Sequence, residues 1–401
     1  MASLALSGWM RMRRRQQQFA DDKQAFLEAV AITARASRAD KQDYLGWTGQ
    51  RELRISAIVD EAFGVKSFYF TDPEGAPLPS FEPGQFLTCH LATSAGEKPL
   101  VRCYSLSDRP REEYYRLTVK LCSPPADRPQ LPPGRGSSRL HAMQVGDRLS
   151  VSAPRGGFFL DPRRRHPLVL IAGGIGVTPI VSMLASLAEA GDDREVYLFY
   201  GVRNSNEHPL RDQIEEIVRE HPNVHQFVLY SQPLPDDTQP DDYHEQGRIT
   251  VDLVRRIVPT GTFDYYLCGP GGLMETMVEG LLAAGVPADR VLYEAFGPAS
   301  IRKPSDTAEP ATVAAGPPTR VVLANSHHEV DWDNHCESLL ELIEELGVAI
   351  DSGCRSGNCG MCAARVLEGD IATVKQPGAQ APEGYCLACI SVPKSPLVLD
   401  L

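Results

Sequence analysis

The first regular pattern in the chain is a series of short runs in which apolar and polar residues alternate, separated by Pro, Gly and Asp. Alternation with a period of two, enriched in β-branched and aromatic residues, is typical of strands that bury one face. Six such runs follow one another, at 53–59, 65–70, 85–91, 102–107, 115–121 and 148–153. We therefore predict an antiparallel six-stranded β-barrel within residues 50–162.

From residue 167 the pattern changes to apolar runs that alternate with segments of helical spacing. The apolar runs lie at 168–172, 195–200, 227–230 and 265–268. The segments between and after them lie at 179–190, 210–221, 251–257 and 274–284. A strand–helix alternation of this kind predicts a doubly wound α/β domain with a parallel sheet, which we place at residues 163–299.

Residues 300–318 are rich in Pro, Ala, Ser and Thr, a composition typical of an interdomain linker. Beyond them, 319–323 and 329–332 predict a hairpin, 338–346 predicts a helix, and 397–399 predicts a closing strand. Residues 319–401 are therefore expected to form a small domain of their own.

Residues 1–49 fit none of these patterns. The mildly apolar residues 1–10 are too few to span a bilayer, and the basic run at 11–15 follows them, the reverse of a secretory signal. Residues 16–47 have apolar positions on one side of a polar helix. We predict a helical N-terminal extension that is poorly ordered or caps the core; a helix that docks on a membrane surface or a partner is the alternative.

Length and charge limit the number of domains and the classes of partner that the chain can have. The 401 residues are enough for roughly two to four domains, and the net charge of −12 argues against nucleic acid, which requires clustered Lys and Arg. Acidic residues are concentrated after residue 318, where twelve Asp and Glu face five Lys and Arg. An acidic surface there would steer the domain to a basic partner, and an ordinary solvated surface is the alternative.

Four cysteines carry the most specific chemistry in the chain. They are Cys354, Cys359, Cys362 and Cys389. The spacing C-x4-C-x2-C with a distant fourth cysteine is the ligand pattern of a plant-type [2Fe–2S] cluster. The glycines Gly353, Gly357 and Gly360 are expected to let the backbone fold tightly and aim N–H groups at sulfur. A structural zinc site is the alternative, although zinc sites usually contain two C-x2-C pairs.

The fourth ligand is ambiguous on spacing alone, because Cys386 lies three residues before Cys389. We favour Cys389, since the plant-type ferredoxin pattern places its last cysteine after an apolar pair such as Leu387-Ala388; Cys386 is then a buried neighbour. Ten cysteines without a secretion signal indicate a reducing compartment, which disfavours disulfides and leads us to expect a cytoplasmic protein. With the hairpin, helix and closing strand, the cysteine loop predicts a β-grasp, plant-type ferredoxin domain.

A flavin site is indicated on the barrel. Arg102, Tyr104 and Ser105 lie on one predicted strand and supply a cation for phosphate, an aromatic ring for the isoalloxazine and a hydroxyl for its N5 atom. An ordinary strand with an exposed arginine is the alternative. A Gly-rich turn follows and opens a short helix, where backbone N–H groups suit phosphate. The residues of this turn are Gly134, Gly136, Ser137 and Ser138.

A pyridine-nucleotide site is indicated on the α/β domain. The turn after the first parallel strand reads G-G-x-G-x-T-P, which occupies the place of a dinucleotide loop without matching G-x-G-x-x-G. Its candidate residues are Gly174, Gly176, Thr178 and Pro179. Cys268, Gly269 and Pro270 end a later strand, where open α/β sheets bind ligands. Cys268 alone is more typical of a buried structural thiol, but together with the turn it predicts the nicotinamide pocket.

These motifs resemble the ferredoxin–NADP reductase superfamily, in particular the flavin, NAD and [2Fe–2S] reductases similar to phthalate dioxygenase reductase. The barrel and α/β domain also resemble the reductase part of flavohaemoglobins, and the resemblance covers residues 50–401. It implies that Arg102 and Ser137 hold flavin phosphate and that Tyr104 and Ser105 contact the isoalloxazine.

The resemblance also implies roles around the nucleotide. Gly174, Gly176 and Thr178 would line it, and Cys268 and Gly269 would lie by the nicotinamide. Segment 294–298 matches the segment that closes the family's nucleotide domain, and its Phe296 would pack against the flavin. The long turn at 132–141 favours FAD over FMN. Gln232 follows the strand that ends near Ser231, and the carboxylates of Asp236 and Asp237 after it disfavour a 2′-phosphate and favour NADH.

The implied function is an NADH-dependent oxidoreductase that passes electrons from NADH through flavin and the [2Fe–2S] cluster to a protein acceptor, such as a Rieske oxygenase, a cytochrome P450 or a haem protein. Ser105 and Cys268 are the candidate catalytic residues. One alternative is a diaphorase or flavin reductase with a small-molecule acceptor. The other is a redox-sensing module without turnover.

Overall fold

A computed structural model describes residues 47, 49–92, 99–124, 133–296, 319–333, 336–348, 350, 352, 357, 360, 362–374 and 381–401. The predicted linker and nearly all of the predicted N-terminal extension lie outside these residues. Within the described part of the chain, no helix is both long enough and apolar enough to cross a membrane.

The first sheet is antiparallel and has six strands. They are β1 (Gln50–Ala62), β2 (Val65–Thr71), β3 (Phe86–Leu91), β4 (Leu100–Ser105), β5 (Tyr115–Lys120) and β6 (Arg148–Arg155). Their spatial order is β4-β3-β6-β1-β2-β5, and a bridge between Leu106 and Leu117 joins the two edges. The short helix α1 (Arg135–His141) lies between β5 and β6 in the chain. The predicted six-stranded antiparallel barrel is confirmed.

Alternation explains the barrel core. In β1 Leu53 and Ile55 are completely buried while Arg54 between them is exposed, and Phe68 and Phe70 of β2 pack in the same core. Burial of a large apolar side chain contributes about 1.5–3 kcal/mol, so this core stabilises the barrel.

The second sheet is parallel throughout and has helices between its strands. In chain order its elements are β7 (Leu168–Gly173), α2 (Val177–Glu189), β8 (Val196–Val202), α3 (Arg211–Glu220), β9 (Val224–Tyr230), β10 (Glu245–Gln246), α4 (Val251–Ile257), β11 (Asp264–Pro270), α5 (Gly271–Ala283) and β12 (Val291–Phe296). The spatial order is β10-β9-β8-β7-β11-β12. This confirms the predicted doubly wound α/β fold.

Both faces of strand β7 are buried, which agrees with its continuous apolar sequence. Leu168 and Leu170 pack in the core that contains α2 and α3, whereas Val169 and Ile171 pack in the core that contains α4 and α5. The chain runs outward from β7 to β10 on one side and returns to β11 on the other. The carboxyl ends of β7 and β11 therefore form the point where such sheets bind ligands.

The third unit follows residue 318. Its elements are β13 (Thr319–Leu323), β14 (His328–Trp332), α6 (Leu339–Glu345), β15 (Ala363–Glu368), β16 (Ile371–Thr373), β17 (Tyr385–Leu387), β18 (Ser391–Pro393) and β19 (Leu397–Leu399). The main sheet has the order β14-β13-β19-β15-β17, with β13 and β19 parallel, and β16 pairs with β18. The predicted hairpin, helix and closing strand are all present.

The barrel and the parallel sheet contact each other directly. The backbone N–H of Leu160 donates to the carbonyl of Pro83, which precedes β3, at 2.9 Å. Phe158 and Leu160 pack in the core that α2 covers. Residues that follow the barrel thus anchor it to the helix that begins at the predicted nucleotide turn.

Candidate functional site

The predicted flavin strand and the Gly-rich turn meet in the structure. Arg102 and Tyr104 lie two residues apart on β4 and so share one face of the barrel. A Cβ atom on Gly136 would lie 2.8 Å from Cγ of Arg102 and 2.9 Å from the Tyr104 hydroxyl. Only glycine leaves room for this approach. The turn and the strand, which are about thirty residues apart in the sequence, therefore form one cradle.

The two hydroxyls of the turn have different surroundings. The Ser137 hydroxyl donates to the carbonyl of Gly134 at 3.0 Å and accepts from the backbone N–H of Cys122 at 3.0 Å, so it holds the turn together. The Ser138 hydroxyl is buried and has no partner among the described residues. A buried polar atom without a partner is costly, and Ser138 is therefore suited to meet a ligand.

Tyr104 and Ser105 provide two kinds of polar contact. Burial raises the pKa of the Tyr104 phenol above its ordinary value, and the nearby Cys89 raises it further, so the phenol stays protonated at neutral pH. Ser105 ends β4 opposite Phe86 of β3 and is 5% exposed. Arg102 is half-buried, and its Nη1 donates to the carbonyl of Val101 at 2.7 Å.

The predicted nucleotide turn connects β7 to α2. Gly174 and Gly176 lie in a short 3₁₀ turn, and Thr178 and Pro179 lie in the first turn of α2. The Thr178 hydroxyl donates to the carbonyl of Ile175 at 3.1 Å, which fixes the turn against the helix. Pro179 is tolerated there because the first turn of a helix needs no internal N–H donor.

The second nucleotide motif lies directly against this turn. Cys268 on β11 pairs with Ala172 on β7 in parallel register. A Cβ atom on Gly176 would collide with the Cys268 carbonyl oxygen and lie 2.6 Å from the nitrogen of Gly269. Pro270 is the last residue of β11, and α5 begins immediately after it. The structure therefore brings the two predicted motifs together at the carboxyl edge of the sheet.

The Cys268 thiol itself is fully buried in the core shared with α2. Burial raises its pKa well above the ordinary value, and the charge of Glu294 adds to the effect, so the sulfur stays a thiol. The backbone of Cys268 lines the turn, whereas contact between its thiol and a nicotinamide stays a prediction. The backbone of Phe296 pairs with Pro270, and its side chain lies outside the described part of the structure.

Two of the four predicted cluster ligands are described, and they lie together. Cys362 and Cys389 are buried, and the backbone N–H of Cys389 donates to Sγ of Cys362 at 3.4 Å. The N–H of Gly357 donates to Sγ of Cys389 at 3.3 Å. Sulfur atoms that accept backbone N–H bonds fit an iron–sulfur cluster, whose potential such bonds tune. Cys354 and Cys359 lie outside the described residues.

Cys386, the rival for the fourth ligand, is also buried. It lies on β17, where it pairs with Ala364 of β15, whereas Cys389 lies in the short 3₁₀ turn that follows. The hydrogen bond from Gly357, a residue of the cysteine loop, reaches Cys389. This contact favours Cys389 as the ligand.

Comparison with known proteins assigns a family to each part of the chain. Residues 54–160 match the oxidoreductase FAD-binding domain, residues 170–279 match the oxidoreductase NAD-binding domain, and residues 321–394 match the 2Fe-2S iron-sulfur cluster binding domain.

Individual relatives cover the chain to different extents. A flavohemoprotein from Rhizobium meliloti is 37% identical over 254 residues, which are 63% of this chain and 62% of that protein. The flavohem-like FAD/NAD-binding domain of nitric oxide dioxygenase from Vibrio cholerae is 31% identical with a TM-score of 0.55, and covers 62% of this chain and 99% of its own. Phthalate dioxygenase reductase is 28% identical with a TM-score of 0.54, and covers 88% of this chain and 98% of its own.

The fold, the close approaches at Gly136 and Gly176, the cysteine pair and the family matches define a pyridine-nucleotide-dependent flavin and iron–sulfur oxidoreductase. The chain belongs to the ferredoxin–NADP reductase superfamily, with the three-domain architecture of phthalate dioxygenase reductase. The predicted cofactors are confirmed as FAD, a [2Fe–2S] cluster and NADH as electron donor.

Proposed function

We propose that this chain is the reductase component of an oxygenase or a similar redox system and delivers electrons from NADH to a protein acceptor through its [2Fe–2S] cluster. Bound FAD accepts electrons in pairs and releases them singly, as the cluster requires. The observation that carries the proposal is the Cys362–Cys389 sulfur pair with its N–H donors, on the same chain as the flavin barrel and the nucleotide sheet. A reductase that ended at flavin would not need a one-electron outlet.

Within this function the barrel holds the flavin. We assign Arg102 and the turn at Gly134, Gly136 and Ser137 to the flavin phosphate, with the Ser138 hydroxyl as the direct donor because Ser137 is already engaged. Tyr104 presents a neutral phenol and Ser105 a hydroxyl to the isoalloxazine. From the resemblance we also propose that Phe296 packs against the flavin.

The parallel sheet holds the pyridine nucleotide. Gly174, Gly176, Thr178 and Pro179 form the loop that accepts its phosphates, and Cys268, Gly269 and Pro270 form the wall beside the nicotinamide. Discrimination against NADPH rests on carboxylates near the end of β9. The Asp237 carboxylate accepts from the backbone N–H of Leu234 at 2.7 Å and from that of Ser205 at 3.4 Å. A fixed negative charge there repels a 2′-phosphate.

The acceptor is a redox protein such as a Rieske oxygenase, a cytochrome P450 or a haem protein. The similarity to phthalate dioxygenase reductase supports this class, as does the acidic iron–sulfur domain. Glu337, Glu341 and Glu344 are exposed on or beside α6. Their charge suits a basic acceptor and does not suit nucleic acid. The location is proposed to be cytoplasmic, and docking of the N-terminal extension on a membrane stays the alternative.

A single pair of variants tests the outlet. In Cys389→Ser a cluster ligand is lost, and we expect NADH oxidation with ferricyanide to continue while reduction of cytochrome c, a one-electron protein acceptor, is largely lost. Cys386→Ser is the matched control and should keep the cluster absorption and both activities. Equal cytochrome c reduction by Cys389→Ser and the wild type would favour a diaphorase. A flavin that NADH does not bleach would favour a redox-sensing module.

A further inference from the structure

One buried cation links the barrel to the parallel sheet. Arg116 lies on β5 and is 2% exposed. Its Nε donates to the Ser107 hydroxyl at 3.2 Å and its Nη2 donates to the Ser107 carbonyl. The same Nη2 donates to the side-chain oxygen of Gln213 on α3 at 2.7 Å. A single guanidinium therefore joins a loop of the barrel to a helix of the other domain.

An ionised carboxylate balances this cation. Asp108 is 5% exposed and accepts from the Tyr114 hydroxyl at 2.6 Å and from the backbone N–H of Arg109 at 2.8 Å. Burial alone would raise the pKa of Asp108, but the charges of Arg116 and Arg111 hold it below its ordinary value. The carbonyl of Asp108 accepts from the Ser182 hydroxyl at 2.7 Å, which is a second contact with the other domain.

These contacts lie beside both halves of the proposed redox site. Ser107 and Asp108 follow Ser105, the proposed flavin contact, by two and three residues. Ser182 lies on α2, the helix that opens at the nucleotide turn. The segment that follows the flavin strand is therefore joined to α3 through Arg116 and Gln213, and to the helix of the nucleotide turn through Asp108 and Ser182.

The two domains share other polar contacts, of which the Ser182–Asp108 hydrogen bond is buried and the following ion pair is exposed. Lys120 on β5 lies 2.7 Å from Glu207, and the Lys120 side chain is 39% exposed. Exposed ion pairs contribute little to the stability of the fold because water and salt screen them. Loss of a partner of a buried arginine destabilises the folded protein more strongly. The Arg116–Gln213 hydrogen bond, which involves a buried charge, therefore fixes the geometry together with the buried Ser182–Asp108 bond.

We propose that Arg116 is a positioning residue, which through Gln213 fixes the nucleotide domain against the flavin strand so that NADH is held at the distance that electron transfer to flavin requires. This inference rests on the proposed transfer from NADH to flavin. Arg116 touches neither cofactor in this account and acts through Ser107 and Gln213. Misplacement of reacting groups by about 1 Å can cost about a hundredfold in rate.

The test uses two substitutions at Gln213 in the full-length holoprotein. Gln213→Met keeps the length of the side chain and removes the acceptor, and Gln213→Glu keeps an acceptor. In Gln213→Met we expect flavin reduction at saturating NADH to slow by about tenfold with little change in KM for NADH. Gln213→Glu should stay within about twofold of the wild type. Flavin content and reduction by dithionite should be equal in all three proteins.

Controls separate this inference from the function on which it rests. Glu216→Gln, on the exposed side of α3, should leave flavin reduction unchanged. Gln213→Met with the wild-type rate would overturn the positioning role. Slow reduction by dithionite as well as by NADH would also overturn it, because the defect would then lie in the flavin site. If NADH failed to reduce the wild-type flavin, the proposed function itself would fail.

Discussion

At the scale of the residue, the end of β4 concentrates several roles in a short stretch. Ser105 is buried at the proposed flavin contact, and Ser107 is completely buried in the network around Arg116. The Ser107 hydroxyl lies 2.7 Å from that of Thr118, which in turn lies 2.7 Å from that of Ser67. These hydrogen bonds hold the segment after Ser105 in place, so the Ser105 hydroxyl has a fixed position at the end of β4.

Ser105→Ala tests the flavin contact. We expect flavin reduction by NADH to slow by about fivefold, the effect of one hydrogen bond of about 1 kcal/mol, with the cluster absorption unchanged. Stopped-flow absorbance at the flavin band measures the rate. Ser150→Ala, on a barrel strand where the hydroxyl bonds to Gln50, is the control and should match the wild type. An unchanged rate in Ser105→Ala would remove Ser105 from the site.

His208 makes the free energy of unfolding depend on pH in the acidic range. Its Nδ1 lies 3.0 Å from the Tyr230 hydroxyl, and burial, with a smaller effect of Arg211, lowers its pKa from 6.5 to about 3. Below pH 6.5 the unfolded chain binds a proton that the folded chain excludes. The free energy of unfolding therefore falls as the pH falls, by about 1.4 kcal/mol for each pH unit between these two values.

His208→Gln should remove this contribution while keeping a polar group near Tyr230. Urea unfolding, followed by the helical circular-dichroism signal at several pH values between 5 and 6.5, measures the difference. We expect a flatter pH dependence in His208→Gln than in the wild type. His225→Gln, at a half-exposed position on β9, is the matched control. Parallel pH profiles for His208→Gln and the wild type would contradict the assignment.

Residue types and spacing were sufficient to propose the site residues, but they did not distinguish neighbours with the same chemistry. Ser137 and Ser138 are equivalent in the sequence, and only the backbone geometry of the turn shows that Ser137 bonds to Gly134 whereas the Ser138 hydroxyl has no such partner among the described residues. Arg116 gave no signal either, because its role depends on Gln213, almost a hundred residues away.

At the scale of the element, the proposed nucleotide site is a contact between two turns. The turn after β7 and the end of β11 touch through Gly176 and the backbone of Cys268. The sequence motifs predicted both turns, because in each of them glycines lie at or just after the end of a predicted strand. The register that brings them together, Cys268 opposite Ala172, follows from the order of strands in the sheet and could be inferred only from the fold class.

Gly176→Ala tests this contact. The added Cβ would meet the Cys268 carbonyl, so we expect a loss of about 1–3 kcal/mol in the free energy of unfolding. NADH should reduce the flavin more slowly, with flavin content unchanged. Gly272→Ala is the matched control, because a Cβ at Gly272 meets no atom within 4 Å. Equal stability of Gly176→Ala and Gly272→Ala would show that the two turns are not in close contact.

Strands of the iron–sulfur domain were predicted less completely than those of the barrel. The sequence indicated β13, β14 and β19, where β-branched and aliphatic residues cluster. It did not indicate β15 to β18, of which β16, β17 and β18 have three residues each, and β15 has a mostly exposed face. Such strands are set by pairing with their neighbours rather than by local pattern.

At the scale of the whole molecule, the chain combines a proposed site for the electron donor NADH with a proposed outlet for electrons. The barrel and the parallel sheet are joined by buried polar contacts around Arg116, and the acidic iron–sulfur domain follows residue 318. The hydrophobic pattern predicted the folds of the barrel and the α/β domain, and the cysteine spacing together with the hairpin, helix and closing strand predicted that of the iron–sulfur domain. The boundaries of these units, at residues 162, 299 and 318, stay a prediction.

Charge on the iron–sulfur domain leads to a prediction about salt. Reduction of a basic one-electron acceptor such as cytochrome c should slow as ionic strength rises from about 0.01 M to 0.15 M, because the Debye length falls from about 30 Å to 8 Å. Flavin bleaching by NADH in the absence of acceptor is the control and should change much less. A rate of cytochrome c reduction that does not depend on salt would argue against an acidic docking surface.

The most direct test of the central claim is an anaerobic titration of the full-length protein with NADH, followed by absorption. If electrons pass from NADH through FAD to the cluster, both the flavin and the [2Fe–2S] bands should bleach, and the protein should take up more reducing equivalents than its flavin alone can hold. A flavin that bleaches while the cluster band persists, or a colourless protein that contains zinc, would contradict the account.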